Sequence, residues 1–241
     1  MEFSGKGVLI TGGGSGVGKA TALKFAEAGA KVAIAGRRLD RLNEVAIKIN
    51  ELGGLGLAVQ CDVSVKESVS EMVDRVLRSF GGVDILVNNA GVFLGKSVLD
   101  TELDEWDTVM RVNLTSAFLC TRSVLAHMVE RGEGKIINVA SGGGLRGGPM
   151  GSAYCASKAG MIALTESLAE EIRHLRINVN VVCPGPVRTE LFDGIASSIR
   201  EKIAGEAMEP EDVANVVVFL ASDASKAING QIIQVRNRVR W

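Results

Sequence analysis

Short aliphatic runs alternate along this chain with longer stretches whose apolar residues recur every three to four positions. The short runs are Gly7–Thr11, Lys31–Ala35, Leu57–Cys61, Val83–Val87, Lys135–Ala140, Ile177–Cys183 and Ile232–Val235, each read as a strand. Between them, helical periodicity covers Val17–Ala28, Leu39–Leu52, Lys66–Phe80, Thr101–Glu130, Tyr154–Leu175 and Pro210–Leu220. Gly29, Gly53-Gly54 and Gly81-Gly82 stop three of these helices, Thr101 is the expected N-cap of the long one, and Pro210 opens the last. A strand, a glycine turn, a helix and a second strand at the start of the chain form a βαβ unit, whose strands run parallel. The alternation continues to the end without repeat, low-complexity segment or linker. The expectation is an α/β fold in one doubly wound domain spanning residues 1–241.

Composition narrows the functional classes. The chain is 46% apolar and 23% charged, with a net charge of −1, which gives no electrostatic case for a nucleic-acid partner or an anionic membrane surface. The longest apolar runs, such as Val213–Ala221, are too short to span a bilayer. Cys61, Cys120, Cys155 and Cys183 form no Cys-x-x-Cys pair or disulfide framework, and the N-terminus carries no signal pattern; both features fit a reduced, cytoplasmic setting. His127 and His174 are the only histidines and fall near helix C-termini, so neither a metal site nor a histidine triad is expected.

The chemistry concentrates at strand ends. After the first strand, Gly12-Gly13-Gly14-Ser15-Gly16-Val17-Gly18 fits neither Gly-x-Gly-x-x-Gly nor a full Walker A, because Ala20 stands where a P-loop needs a hydroxyl for magnesium. The spacing Gly12-x-x-x-Gly16-x-Gly18 leaves backbone open to a pyrophosphate at a helix N-terminus; a plain packing turn is the alternative. The second strand ends in Gly36-Arg37-Arg38, two cations where an NAD site carries an acid. That favours the 2′-phosphate of NADP, unless the arginines only pair with Asp40. Asp62-Val63 follows the third strand, where the carboxylate would reach an adenine amino group or serve as a turn acid. Asn89-Ala90-Gly91 follows the fourth, small residues suited to close backbone approach. Asn113, a poor interior helix residue, marks a local task inside the long helix. Ser141 ends the fifth strand, and thirteen residues later come Tyr154 and Lys158, one helical turn apart. At roughly 4 Å and an effective dielectric of about 20, an ammonium would favour phenolate by about 4 kcal/mol, or about 3 pKa units at most.

These separated features occur in a fixed order: Thr11-Gly12-x-x-x-Gly16-x-Gly18, Asn88-Asn89-Ala90-Gly91, Asn113, Ser141, Tyr154-x-x-x-Lys158 and Pro184-Gly185. Together they resemble the short-chain dehydrogenase/reductase family, and most of all its single-domain, 3-oxoacyl-acyl-carrier-protein reductase-like ketoreductases. The resemblance implies a seven-stranded parallel Rossmann-type sheet, a homo-oligomer (tetramer or dimer), and hydride transfer between NADP(H) and a small carbonyl or secondary alcohol. NADPH is the preferred cofactor in this reading, with NAD possible. By matching position, Gly12, Gly14, Ser15, Gly16 and Val17 would hold the pyrophosphate, and Arg37 and Arg38 the 2′-phosphate. Asp62 and Val63 would flank adenine, and Asn89, Ala90 and Gly91 would line the adenosine ribose side. Tyr154 and Lys158 would touch the nicotinamide ribose, with Val187 and Thr189 at the carboxamide and Pro184 and Gly185 also among the cofactor-binding residues. The implied catalytic set is Ser141 to orient the carbonyl, Tyr154 as general acid or base, Lys158 to lower its pKa, and Asn113 to hold a proton-relaying water.

Four features depart from that pattern or leave it open. Many NADP-preferring members carry a basic residue where this chain has Ser15, which weighs against NADP without reversing it. The region between Thr189 and Pro210 is compact, with Leu191, Phe192 and Ile195 forming an apolar lid or packing on the body. The family ending Val-Asp-Gly-Gly is replaced by Val235 and then Arg236-Asn237-Arg238-Val239-Arg240-Trp241, so tetramer packing there is open. Phe93, Leu94, Leu145, Met150, Pro186 and Phe192 are the expected pocket walls and suggest an apolar ketone or ketoester, while Arg146 is either an acid's partner or a solvated loop arginine. Two other functions share this fold: a non-catalytic dinucleotide-binding sensor, against which the intact Ser141, Tyr154 and Lys158 argue, and an epimerase or dehydratase, which would need a larger C-terminal domain.

Overall fold

The seven aliphatic runs become seven parallel strands of one sheet. The computed structural model describes residues 2–149, 151–195 and 197–237. The strands are β1 (Gly7–Thr11), β2 (Lys31–Gly36), β3 (Leu55–Gln60), β4 (Ile85–Asn88), β5 (Glu133–Val139), β6 (Arg176–Pro184) and β7 (Ile232–Val235), in the order β3-β2-β1-β4-β5-β6-β7. The helices are α1 (Gly16–Glu27), α2 (Leu39–Glu51), α3 (Lys66–Phe80), α4 (Leu103–Met110), α5 (Ser116–Arg131), α6 (Gly143–Arg146), α7 (Ser152–Glu171), α8 (Glu190–Asp193), α9 (Ser197–Ile203) and α10 (Pro210–Ala221). This is a Rossmann-like α/β fold.

Successive strand residues face opposite sides, so each strand feeds two cores. Val8, Ile10, Val32, Ile34, Ile85, Val87, Ile137 and Val139 pack against α1, α2 and α10. Leu9, Ala33, Leu86 and Ile136 face α3, α5 and the second half of α7. Both faces are covered, which is why β1 is buried at every position. The strand order turns around between β1 and β4, and their connections leave in opposite directions, opening a crevice at the carboxyl ends of the strands.

The helix boundaries depart from the periodicity in instructive places. The stretch expected as one helix from Thr101 to Glu130 begins at Leu103 with Glu102 as N-cap, because Glu102 and Glu105 form a reciprocal capping box that Thr101 cannot. It is then interrupted by a π-helical turn at Arg111–Thr115 containing Asn113. The helix expected over Tyr154–Leu175 starts two residues earlier and ends at Glu171. Gly142–Gly148 is not a plain loop, since α6 makes one turn inside it.

A buried polar chain fixes α5 and α7 on the sheet. Asn88 Nδ2 donates to Asn138 Oδ1 at 2.8 Å and to Thr121 Oγ1 at 3.0 Å, and Asn138 Nδ2 donates to Thr165 Oγ1 at 2.8 Å. Asn88 and Asn138 are register partners on adjacent strands, and Thr165 lies on α7. Replacing Asn138 with alanine leaves Thr165 Oγ1 without a donor and takes one acceptor from Asn88. The expected loss of unfolding free energy is roughly 2–3 kcal/mol, read by chemical denaturation.

Candidate active site

The crevice is a cleft of about 1220 Å³, and all the expected catalytic and cofactor-binding residues except Asn113 line it. Its two ends are built differently.

At the end formed by β1, β2 and β4, β1 delivers Thr11 and then the glycine turn. Thr11 Oγ1 accepts from the backbone amides of Asn89 and Ala90, both at 3.1 Å, while Asn89 Nδ2 donates to the carbonyls of Thr11 at 3.0 Å and Gly12 at 3.3 Å. These bonds lace the tips of β1 and β4 together. The glycines are needed for space. Gly12 sits at φ +68°, and a Cβ there would lie 3.0 Å from the Ala90 Cα, while one on Gly18 would overlap the Gly12 carbonyl oxygen. The first amides of α1 face this turn without a side-chain cap from Ser15, and no acid stands in the first turn of the helix. An uncapped, acid-free helix N-terminus offers donors and a positive dipole end to an anion.

The two arginines after β2 divide. Arg38 crosses the groove, donating to Ser15 Oγ at 3.3 Å and pairing with Glu190 at 3.0 Å, and Arg41 approaches the other Glu190 oxygen at 3.8 Å. Glu190 opens α8, so the partner is not the neighbouring Asp40. Arg38 also brings a cation beside Ser15, where the sequence itself has none. Arg37 remains at the end of β2 beside Asp62. The Ser64 hydroxyl at 2.6 Å and amide at 2.9 Å hold the Asp62 carboxyl below the usual range, with Arg37 adding a smaller contribution. Asp62 is therefore a turn acid that also lines the cleft.

At the other end, β5 delivers Ser141. The Gly143 amide donates to Ser141 Oγ at 3.1 Å, and the Ser141 side chain hydrogen-bonds the Tyr154 phenol. The Tyr154 ring meets Phe93 edge to face, 5.2 Å between centroids. Lys158 is buried one turn further along α7. Its Nζ donates to the Val139 carbonyl at 2.8 Å and lies 5.8 Å from the centre of the Tyr154 ring. Burial pushes the Tyr154 phenol up, against the lowering effect of Ser141. Burial likewise pulls the Lys158 ammonium down to about 8. The direct lowering of Tyr154 expected from the helical spacing is thus outweighed in the protein alone, because Lys158 is oriented toward a backbone carbonyl and the ring face.

Asn113 sits behind the cleft. Its Oδ1 accepts from the Val92 amide at 2.7 Å, and its Nδ2 donates to the Val92 carbonyl at 2.9 Å and to Ser157 Oγ at 3.0 Å. Ser157 Oγ in turn donates to the Tyr154 carbonyl at 2.7 Å. The π turn places this amide so that it joins the chain after β4 to α7.

Of the expected walls, Phe93, Pro186 and Phe192 line the cleft, and Leu191 and Ile195 join them. Leu145 does not; it packs toward Met161 and Ile162 in the body. Leu94 is also absent from the lining. Met150 and the segment after Asn237 lie outside the described residues. Thr11, Ser157, Glu190 and Arg236 were not marked by sequence reasoning as site residues. Only Thr11 carried a local signal, a hydroxyl ending an aliphatic strand.

The fold and this cleft are those of a nicotinamide-dinucleotide oxidoreductase, and the chain belongs to the short-chain dehydrogenase/reductase family. The family model described as short chain dehydrogenase matches residues 6–200. Over 240 residues the chain is 36% identical to the 3-oxoacyl-(acyl-carrier-protein) reductase FabG of Thermotoga maritima, with 98% of each covered. It is 38% identical over 241 residues to the meso-2,3-butanediol dehydrogenase of Serratia marcescens, covering 98% of this chain and 94% of that one. The structure of levodione reductase superimposes with a TM-score of 0.93 at 31% identity, covering 98% of this chain and 97% of that one.

The lowered Lys158 has a measurable signature. Its folded-state pKa of about 8 lies below the unfolded value of about 10.4, so the unfolded chain holds the extra proton between them, and stability rises with pH across that window. The destabilisation is complete below pH 8 and is on the order of 3 kcal/mol. Lys158→Met removes it. The stability difference, variant minus wild type, should therefore shrink by that order as pH rises from 7 to about 10.4. A flat difference in denaturation curves would place the Lys158 pKa at its ordinary value.

Proposed function

We propose that this protein is an NADPH-preferring ketoreductase that interconverts a carbonyl compound and a secondary alcohol, with Tyr154 as its general acid and base. The observation that carries the reading is the sharing of one cleft by two half-sites. An uncapped helix N-terminus with Arg37 lies at one end, and the hydrogen-bonded Ser141–Tyr154 pair, backed by Lys158, lies at the other.

The residues fit the dinucleotide on structural grounds. The glycine turn is a cradle that a Cβ at Gly12 or Gly18 would fill, and the α1 amides beside it lack a side-chain cap. Gly12, Gly14, Ser15, Gly16 and Val17 would hold the pyrophosphate. Arg37 would meet the 2′-phosphate, with Asp62 and Val63 beside adenine and Asn89, Ala90 and Gly91 along the ribose side. Val187 and Thr189 would face the carboxamide, and Pro184 and Gly185 would also contact the cofactor. When bound, the nicotinamide ring supplies or accepts the hydride.

The remaining steps belong to the chain. The Ser141 hydroxyl, oriented by the Gly143 amide, donates to the substrate oxygen and fixes its position. As negative charge develops on that oxygen, Tyr154 delivers its proton; in the alcohol direction it withdraws one. Burial keeps the phenol protonated until a stronger acceptor forms, and Lys158, its ammonium pulled down to about 8, returns a proton to it. Asn113 acts through Ser157, which holds the Tyr154 backbone in place. Arg38 serves chiefly as the tie to Glu190, leaving Arg37 as the main discriminator between NADPH and NADH.

Rates of NADPH and NADH oxidation over a panel of ketones test this. Tyr154→Phe should lower kcat roughly 100- to 10,000-fold while dinucleotide binding persists. Arg37→Gln should erase the preference for NADPH. Full activity in Tyr154→Phe would refute the acid–base role, and a better rate with NADH would refute the NADP assignment. Tight dinucleotide binding without turnover of any carbonyl would favour a sensor.

We also propose a homo-oligomer. Leu103 on α4, Phe118 on α5 and Phe219 on α10 are 72%, 46% and 47% exposed, large apolar side chains that do not line the cleft. Among the described residues no helix is long and apolar enough to cross a membrane. Light scattering on the purified chain should return a dimer or tetramer; a monomer at micromolar concentration would overturn this.

A further inference from the structure

The carbonyl end of the cleft holds cations that the reaction above does not use. Five arginines line the cleft, and they are not equivalent. Arg38 and Arg41 share Glu190, and Arg37 stands beside Asp62 at the adenosine end. Arg146 and Arg236 have no carboxylate within 4.0 Å among the described residues, whereas Arg188 and Arg200 nearby are each paired with one.

Arg236 is exposed, and its position is set by the strand before it. It follows Val235, the last residue of β7, which pairs in register with Pro184 and accepts from the Gly185 amide at 2.8 Å. From there its stem runs over Gly185, and Nη2 lies 3.9 Å from where a Cβ on Gly142 would be. Gly142 is the neighbour of Ser141, and its own amide is tied to the Pro184 carbonyl at 2.8 Å. The guanidinium therefore lies against the backbone next to Ser141, whose hydroxyl would orient the substrate oxygen, and lines the same cleft as Arg146, which ends α6. The acid lining the cleft at this end is Glu206, on the turn after α9, and Glu209 and Asp212 line a smaller pocket on the other side of Arg236, where Glu209 is paired with Arg188.

We propose that Arg236, assisted by Arg146, binds a carboxylate on the substrate, so that this enzyme acts on short oxo acids and the corresponding hydroxy acids. This deepens the ketoreductase reading and rests on its placement of the carbonyl at Ser141. A planar guanidinium receives a carboxylate through two parallel, charge-assisted hydrogen bonds, which fixes orientation as well as position. With the carboxylate held there, a carbonyl a few bonds away is presented to Ser141 and Tyr154, the kind of anchoring that turns binding into rate. The apolar ketone or ketoester suggested by the wall residues alone is replaced by a substrate with an apolar body and an anionic end.

The test compares levulinate with its methyl ester, molecules that differ chiefly in the charge. Wild type should favour the acid in kcat/KM, and Arg236→Gln should lower the acid-to-ester ratio roughly 10- to 100-fold, the range of a charge-assisted hydrogen bond. Arg146→Gln should move the ratio in the same direction by less. A ratio that Arg236→Gln leaves unmoved, or a wild type that favours the ester, overturns the proposal. A binding measurement separates this from failure of the reaction assignment. Calorimetry of butyrate against butyramide on the dinucleotide complex needs no turnover, and butyrate should bind more tightly in wild type but not in Arg236→Gln. Loss of the NADPH preference would leave that difference in place. If wild type shows no acid preference and Glu206→Gln creates one, Arg236 serves the lid and the proposal falls.

Discussion

The site depends on the joining of two strand tips by one hydroxyl. Thr11 ends β1, Asn88 ends β4, and the crevice lies where the chain departs from those two strands in opposite directions. Parallel strands present unpaired amides at their carboxyl ends, and here Thr11 Oγ1 takes two of them while Asn89 returns a side-chain amide to the carbonyls of Thr11 and Gly12. With those groups satisfied, the glycine turn can lie close against Ala90, and the first turn of α1 is aimed into the groove. Loosening this lacing would move both ends of the cleft at once, since β4, which ends beside Asn89, pairs with β5, which delivers Ser141.

The second end is organised by burial. Lys158 is a cation kept from water with one carbonyl as hydrogen-bond acceptor, and Tyr154 is a phenol pushed away from ionisation. Both shifts oppose charge, which makes this end of the cleft an unfavourable place for either ion. In the proposed reaction the charge arrives with the substrate oxygen, so the groups are poised to respond to it and remain neutral or hydrogen-bonded otherwise. Structural stability is given up at Lys158 for that behaviour, while the Asn88–Asn138–Thr165 chain and the two cores hold α7 in place around it.

The periodicity of the chain made the strands, their parallel sense and most of the helices legible, because both properties follow from residues close in sequence. The glycine turn and the Tyr154–Lys158 spacing were legible for the same reason. What was not legible depends on residues far apart. The pairing of Arg38 with Glu190 could not be read because the two are 152 positions apart. Asn113 stood out as a poor helix residue, yet only the fold shows that a π turn brings it to Val92 and Ser157. Leu145 read as a pocket wall because α6 was taken for a loop; one helical turn rotates it into the body. Arg236 belonged to a segment that only departed from the family ending, and the pairing of β7 with β6 is what sets its side chain beside Gly142.

The tie between Arg38 and Glu190 has a kinetic side. It spans the groove from the end of β2 to the start of α8, and both side chains are about half exposed. An ion pair in that setting contributes about 0–1 kcal/mol, close to thermal energy. A bridge of such strength recloses readily and opens without a barrier of its own, so whatever occupies the groove is covered without being trapped. A buried pair in the same position would hold its guest longer and turn the exit of product into the slow step.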